Sequence, residues 1–180
     1  MKKIFKYIFA GMAAMSVVAC SEDALETSPS SSVSGNELLG TATNALVSLN
    51  GVYRAMYTAG VSNSSNTHQC FGITAYNLVA DVMGEDCIMN GQGSGWLWYD
   101  CVYNVKSRYT STGWRSYDMW NGYYTWISNV NYILAEEETM SGSETEKNYV
   151  LGQAYAVRAY SYFMLAQMFS RTYKGHESEP

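Results

Sequence analysis

The segment from Ser141 to about Phe169 is apolar nearly all the way round. At helical spacing, Val150, Ala154, Val157, Met164 and Met168 share one face, and Leu151, Tyr155, Tyr162, Leu165 and Phe169 share another. A helix of that kind is normally buried, so it demands other helices on several sides. Ser141-x-x-Glu144 marks its start. The single cation in its middle, Arg158, is therefore expected to be a buried structural ion-pair partner, held by a carboxylate or by helix-end carbonyls.

The rest of the chain supplies helical partners. Trp114 to Glu137 carries a wide apolar stripe of Trp120, Tyr123, Tyr124, Ile127, Val130, Ile133 and Leu134. Only a short polar turn separates it from the last helix, which predicts an antiparallel hairpin. Asn36 to Tyr57 repeats Leu38, Ala42, Ala45, Leu46, Leu49, Val52, Tyr53 and Met56 at helical spacing, with Ser34-x-x-Glu37 as a capping box and Gly60 beyond its end. Val61 to Gln69 reads as a polar loop. Phe71 to Met83 is a shorter helix with Ala75, Leu78, Val79 and Val82 inward, stopped by Gly84. A loop follows with Gly91, Gly93 and Gly95 alternating, and Trp96 to Tyr109 reads as extended or irregular. On the last helix, Ala159-x3-Phe163-x2-Ala166 echoes the second helix of a tetratricopeptide unit, where small residues admit close helix approach.

The N-terminus has a different logic. Lys2, Lys3 and Lys6 precede a short apolar run from Tyr7 to Val18, which ends at Ala19-Cys20. That order is a secretory signal, and the run is shorter than the roughly 20 apolar residues a bilayer span needs. Val17-Val18-Ala19-Cys20 resembles a lipobox, so residues 1–19 are expected to be removed and Cys20 lipidated. Several acyl chains on one cysteine anchor stably, where one chain holds only marginally. Residues 20–35, Ser-rich and carrying Pro29, read as a flexible tether. Glu22 and Asp23 at its start resemble a surface-export signal, or serve as a solvated acidic linker. Nothing after Cys20 is long and apolar enough to be a second membrane segment. The chain stops at His176-Glu177-Ser178-Glu179-Pro180, directly after the last helix, which is expected of a truncated protein.

Composition excludes some partners and supports others. The net charge of −5 argues against a nucleic-acid partner, which selects basic patches. With 16 Tyr and 5 Trp, the chain is rich in residues that suit half-wet surfaces, having an apolar body and a polar tip. Cys70, Cys87 and Cys101 show no metal-binding spacing and are either buried thiols or one bridge with one thiol over. The search for catalytic groups is negative. His176-Glu177 lacks the second histidine of a zinc-protease helix, and Gly91-Gln92-Gly93-Ser94-Gly95 is neither a nucleophile elbow nor a phosphate loop. Asp81, Glu85 and Asp86 lack the alternating oxygen ligands of a calcium loop and read as hydrated acidic residues. No catalytic residue, metal site or cofactor is expected.

The ligand-binding candidates are Trp96, Trp98 and Tyr99. Sugar rings present flat C–H faces that pack on aromatic rings, while neighbouring polar groups take the hydroxyls; packing within a core or interface is the competing role for these rings.

Several stretches in order resemble the SusD/RagB family of outer-membrane nutrient-binding lipoproteins. They are the lipobox with its acidic-start tether and Leu25-Glu26-Thr27-x-Pro29, then Asn44-Ala45-x3-Leu49-Asn50-Gly51-Val52-Tyr53, then Asp81. Trp120-Asn121-x-Tyr123-Tyr124-x2-Ile127-x2-Val130-Asn131-x2-Leu134 follows, and Gly152-Gln153-Ala154-Tyr155-Ala156-Val157-Arg158-Ala159-Tyr160-Ser161-Tyr162-Phe163 is the most specific. The resemblance implies an all-α bundle of helix pairs related to tetratricopeptide repeats, of which residues 36–180 form the N-terminal part. It implies a binding protein and not an enzyme, anchored on the outer face of the outer membrane. Such a protein captures glycans, or sometimes peptides, and passes them to a SusC-like TonB-dependent transporter. Two other functions compete: a tetratricopeptide-like protein-interaction scaffold with no small ligand, and a surface hydrolase whose catalytic part lies beyond Pro180.

Overall fold

The computed structural model describes residues 38–59, 67–84, 87–102, 110–111 and 113–178. The chain divides into Met1–Gly35 and Asn36–Pro180, and the description is of the second unit. The signal peptide, Cys20, the tether and the Ser34–Glu37 capping box lie outside the described residues, as do Gly60, Glu85, Asp86 and positions 103–109.

The architecture is all-α. Its elements are α1 (Ala42–Ala55), a 3-10 turn (Thr67–Gln69), α2 (Ile73–Met83), the one-turn α3 (Trp98–Cys101), α4 (Trp114–Ala135) and α5 (Glu144–Phe169). α4 and α5 make the most extensive contact in the molecule, as expected of a hairpin, and α1 packs against both. One cluster unites Ala45, Leu49 and Val52 of α1, Tyr76 of α2, Trp126 and Val130 of α4, and Val150, Ala154 and Val157 of α5.

The first helix starts later than its apolar spacing predicts. Leu38 and Leu39 are helical, but the chain bends at Gly40, and Thr41 is extended and caps α1 by accepting the Asn44 N–H at 3.1 Å. The break has a tertiary cause. The Ala42 N–H donates to the Ser141 carbonyl at 2.9 Å, and the Ser141 N–H donates to the Gly40 carbonyl at 3.0 Å. The same pairing moves the start of α5. Ser141 is drawn to Gly40, its hydroxyl donating to that carbonyl at 2.9 Å. Ser143 therefore forms the cap, and its capping-box partner is Glu146 rather than the expected Ser141–Glu144 pair.

α5 is not enclosed on all sides. Val150, Leu151, Ala154, Val157, Ser161 and Leu165 are buried. Tyr155, Tyr162, Phe163 and Phe169 are exposed, and so are Ala159 and Ala166 of the tetratricopeptide-like pattern. Arg158 is also a correction: it is half-exposed rather than buried. It donates to the Asn131 side-chain oxygen at 3.0 Å and lies 4.9 Å from the Tyr155 ring centre.

On α4, Trp126 belongs to the core with Tyr123, while Trp120 and Tyr124 of the expected stripe stand at its exposed edge. On α2, Leu78 is exposed and Val82 half-buried, and the main core residue is Tyr76. Its hydroxyl donates to the Asp118 carbonyl at 3.0 Å, and its ring packs on Tyr123 and Trp126 at 5.4 and 5.9 Å. Burial, reinforced by the nearby Asp118 charge, holds the Tyr76 hydroxyl far above the ordinary tyrosine range. Gly122 on α4 makes this approach feasible, because a Cβ there would overlap the Tyr76 hydroxyl oxygen.

Candidate functional site

The aromatic loop is built by backbone turns rather than by regular structure. Gly93 and Gly95 adopt positive φ, and so does Leu97 at 54°. For a bulky residue such as leucine that conformation is uncommon and costs about 1–3 kcal/mol. Leu97 is buried, and its N–H donates to the Gln69 side-chain oxygen at 3.1 Å. The turn at Leu97 starts α3, a single helical turn within the run from Trp96 that was expected to be extended or irregular, and positions 103–109 of that run lie outside the described residues.

The loop directs its aromatic residues apart. Trp96 is 47% exposed and packs on the His68 ring at a centre distance of 5.6 Å. Tyr99 is 41% exposed and lines a cleft of about 260 Å³ with Gln69, Gln92, Ser94, Asp100 and Trp114. Trp98 lines a different cavity, with Val82, Cys87 and Ile88. Trp96 and Tyr99 thus stand exposed as the aromatic edge of the loop, with Tyr99 lining the cleft, and Trp98 is a half-buried residue that lines another cavity. The amide of Gln92 and the hydroxyl of Ser94 beside Tyr99 match what a polyhydroxylated ring needs around its apolar face.

A buried ion pair lies beneath this surface, unforeseen in the sequence. Arg115 donates from Nε and Nη2 to the two oxygens of Asp100, at 3.1 Å each, and from Nη1 to the Gln69 carbonyl at 2.7 Å. Asp118 is nearby, its Oδ2 3.9 Å from Arg115 Nη1. The Arg115 guanidinium also lies 4.1 Å from the centre of the Trp114 ring. The signal that was available was a charge pattern, Asp100, Arg115 and Asp118 among apolar neighbours. Its partners come from three separate segments, so periodicity within one helix did not reveal it.

The thiols of Cys70, Cys87 and Cys101 are not bridged; Cys70 is buried and Cys87 exposed. Among the described residues, no group of three or more His, Cys, Asp or Glu is placed to hold a metal ion. Among those residues, too, no helix is long and apolar enough to cross a membrane.

The motif residues that prompted the family resemblance serve as ties between helices. The Tyr53 hydroxyl donates to the Gln153 side-chain oxygen at 3.0 Å, joining α1 to α5, and Arg158–Asn131 joins α5 to α4. No curated protein and no solved structure matches the chain. A family model, SusD-like and described as starch-binding and associating with the outer membrane, matches residues 76–180, which is more than half of the chain and includes α4, α5 and the aromatic loop. On that match, the chain belongs to the SusD-like family.

Proposed function

We propose that this chain is a lipid-anchored binding protein that captures oligosaccharides, or other nutrients, at the outer face of the outer membrane. It delivers them to a SusC-like TonB-dependent transporter and performs no chemistry on them. The family match over residues 76–180 carries the reading. Its support in the fold is the exposure of Trp96 and of Tyr99, which lines a polar cleft. The lipobox ending at Cys20 supports the membrane tether.

Binding by isothermal titration with maltoheptaose, a starch fragment, tests the site. Trp96→Ala and Tyr99→Ala together are expected to weaken affinity by about 1–3 kcal/mol, in line with loss of aromatic anchors from a binding surface. Unchanged affinity in a folded double variant removes these residues from the site. A second reading, a helical scaffold for protein partners, is favoured by the exposed aromatic row on the hairpin. There Trp120 packs on Tyr124 at 4.6 Å and on Phe169 at 5.1 Å, and Tyr124 meets Tyr162 at 6.4 Å. Recovery of a TonB-dependent barrel with the affinity-tagged chain supports the transport reading; recovery of other proteins without any barrel supports the scaffold.

A further inference from the structure

The exposed aromatic edge does not order itself. Its loop alternates glycine with polar residues from Gly91 to Gly95, takes positive φ at three positions, and ends in a helix of one turn. Glycine loses more backbone freedom on ordering than any other residue, and a single helical turn is below the length that is stable alone. The order must be supplied by neighbouring segments.

Arg115 supplies it. One guanidinium, its side chain 5% exposed, joins the start of α4 to Asp100 in α3 and to the Gln69 carbonyl in the 3-10 turn. Gln69 carries the connection onward. Its side-chain oxygen holds the Leu97 N–H, and its side-chain nitrogen lies 3.0 Å from His68 Nε2, whose ring packs on Trp96. A continuous set of contacts therefore runs from Arg115 to Trp96, and the same guanidinium holds Asp100, the chain neighbour of Tyr99. A buried ion pair contributes little net stability compared with apolar residues of equal volume, so its physical value here is directional. The planar fork fixes two acceptors at defined angles, which the point charge of lysine cannot do.

We propose that Arg115 is a positioning residue for ligand capture: through Asp100 and Gln69 it sets where Trp96 and Tyr99 stand, without touching the ligand. The affinity part of this proposal rests on the glycan reading above. The test uses the full chain, with hydrogen exchange and maltoheptaose titration as two readouts. Asp100→Leu with Arg115→Met removes both charges and leaves neither buried alone. Amides of residues 91–101 are expected to exchange at least about tenfold faster, with those of α5 unchanged. Affinity is expected to fall about tenfold as the loop must then be ordered on binding. Arg115→Lys, which keeps the charge and loses the fork, is expected to fall between wild type and the double variant in both readouts.

Wild-type protection at Leu97 in the double variant overturns the proposal, and so does a freed loop with undiminished affinity. If the double variant loses its helical circular dichroism, Arg115→Lys decides by the same two readouts. A freed loop in a chain whose wild type never binds maltoheptaose sinks the glycan reading and leaves the positioning of the loop by Arg115 standing.

Discussion

Gly122 shows how one missing side chain decides packing. In a helix interior glycine is about 1 kcal/mol less favourable than alanine, so helix propensity alone predicts that Gly122→Ala stabilises. The structure predicts the reverse, because a Cβ would overlap the Tyr76 hydroxyl oxygen, itself fixed by a 3.0 Å bond to the Asp118 carbonyl. Thermal unfolding of Gly122→Ala is expected to show a net loss of about 1–2 kcal/mol, in the range of overpacked cores. A raised melting temperature would contradict the close approach. Gly72 makes a similar contact before α2: its φ is +71° and a Cβ there would overlap the Met56 carbonyl oxygen, so the end of α1 meets the start of α2 where a side chain does not fit. Neither clash is visible in the sequence, since the residues that meet are far apart along the chain.

The helices themselves were legible, and so was the start of α4 at Trp114, while the starts of α1 and α5 were not. Apolar spacing located α1, α2, α4 and α5, because a helix that buries one face must repeat every three or four residues. The two starts that moved, at Thr41 and Ser143, moved for one reason. Both flank the backbone bridge between Thr41 and Ser141, and a long-range pairing of that kind leaves no periodic trace. Ser143 now caps α5 by accepting the Glu146 N–H at 3.3 Å, while Glu146 accepts from the Ser143 backbone at 3.0 Å and from its hydroxyl at 2.7 Å. Ser143→Ala is expected to cost about 1 kcal/mol in chemical denaturation. The hydroxyl bond, then the backbone bond, holds the Glu146 carboxyl below its ordinary pKa. A lowered folded pKa means that the cap's contribution is present above the ordinary glutamate value of about 4.3 and is lost as pH falls through the folded value. Carboxyl titration by NMR checks this: Glu146 is expected to titrate below the ordinary glutamate value in wild type and to return toward it in Ser143→Ala.

For the molecule as a whole, sequence and fold speak to different parts of the function. The proposed membrane attachment is written in a few adjacent residues around Cys20. Cys20→Ala is expected to abolish fatty-acid labelling and release the chain from membranes; retained label in that variant would remove the lipoprotein reading. The all-α class was legible too, and so were the ordered motifs of the SusD-like family, because both depend on local residue patterns. Tertiary structure decided the rest. Trp96, Trp98 and Tyr99 are nearly consecutive, yet Trp96 and Tyr99 lie on an exposed edge and Trp98 lines another cavity. Arg158, expected to be buried in an ion pair, lies at a half-exposed helix seam, and the buried pair belongs instead to Arg115. The physical reason is the same throughout. Periodicity and local motifs record which residues share a face, whereas burial, ion pairing and loop geometry depend on which distant segments close over that face.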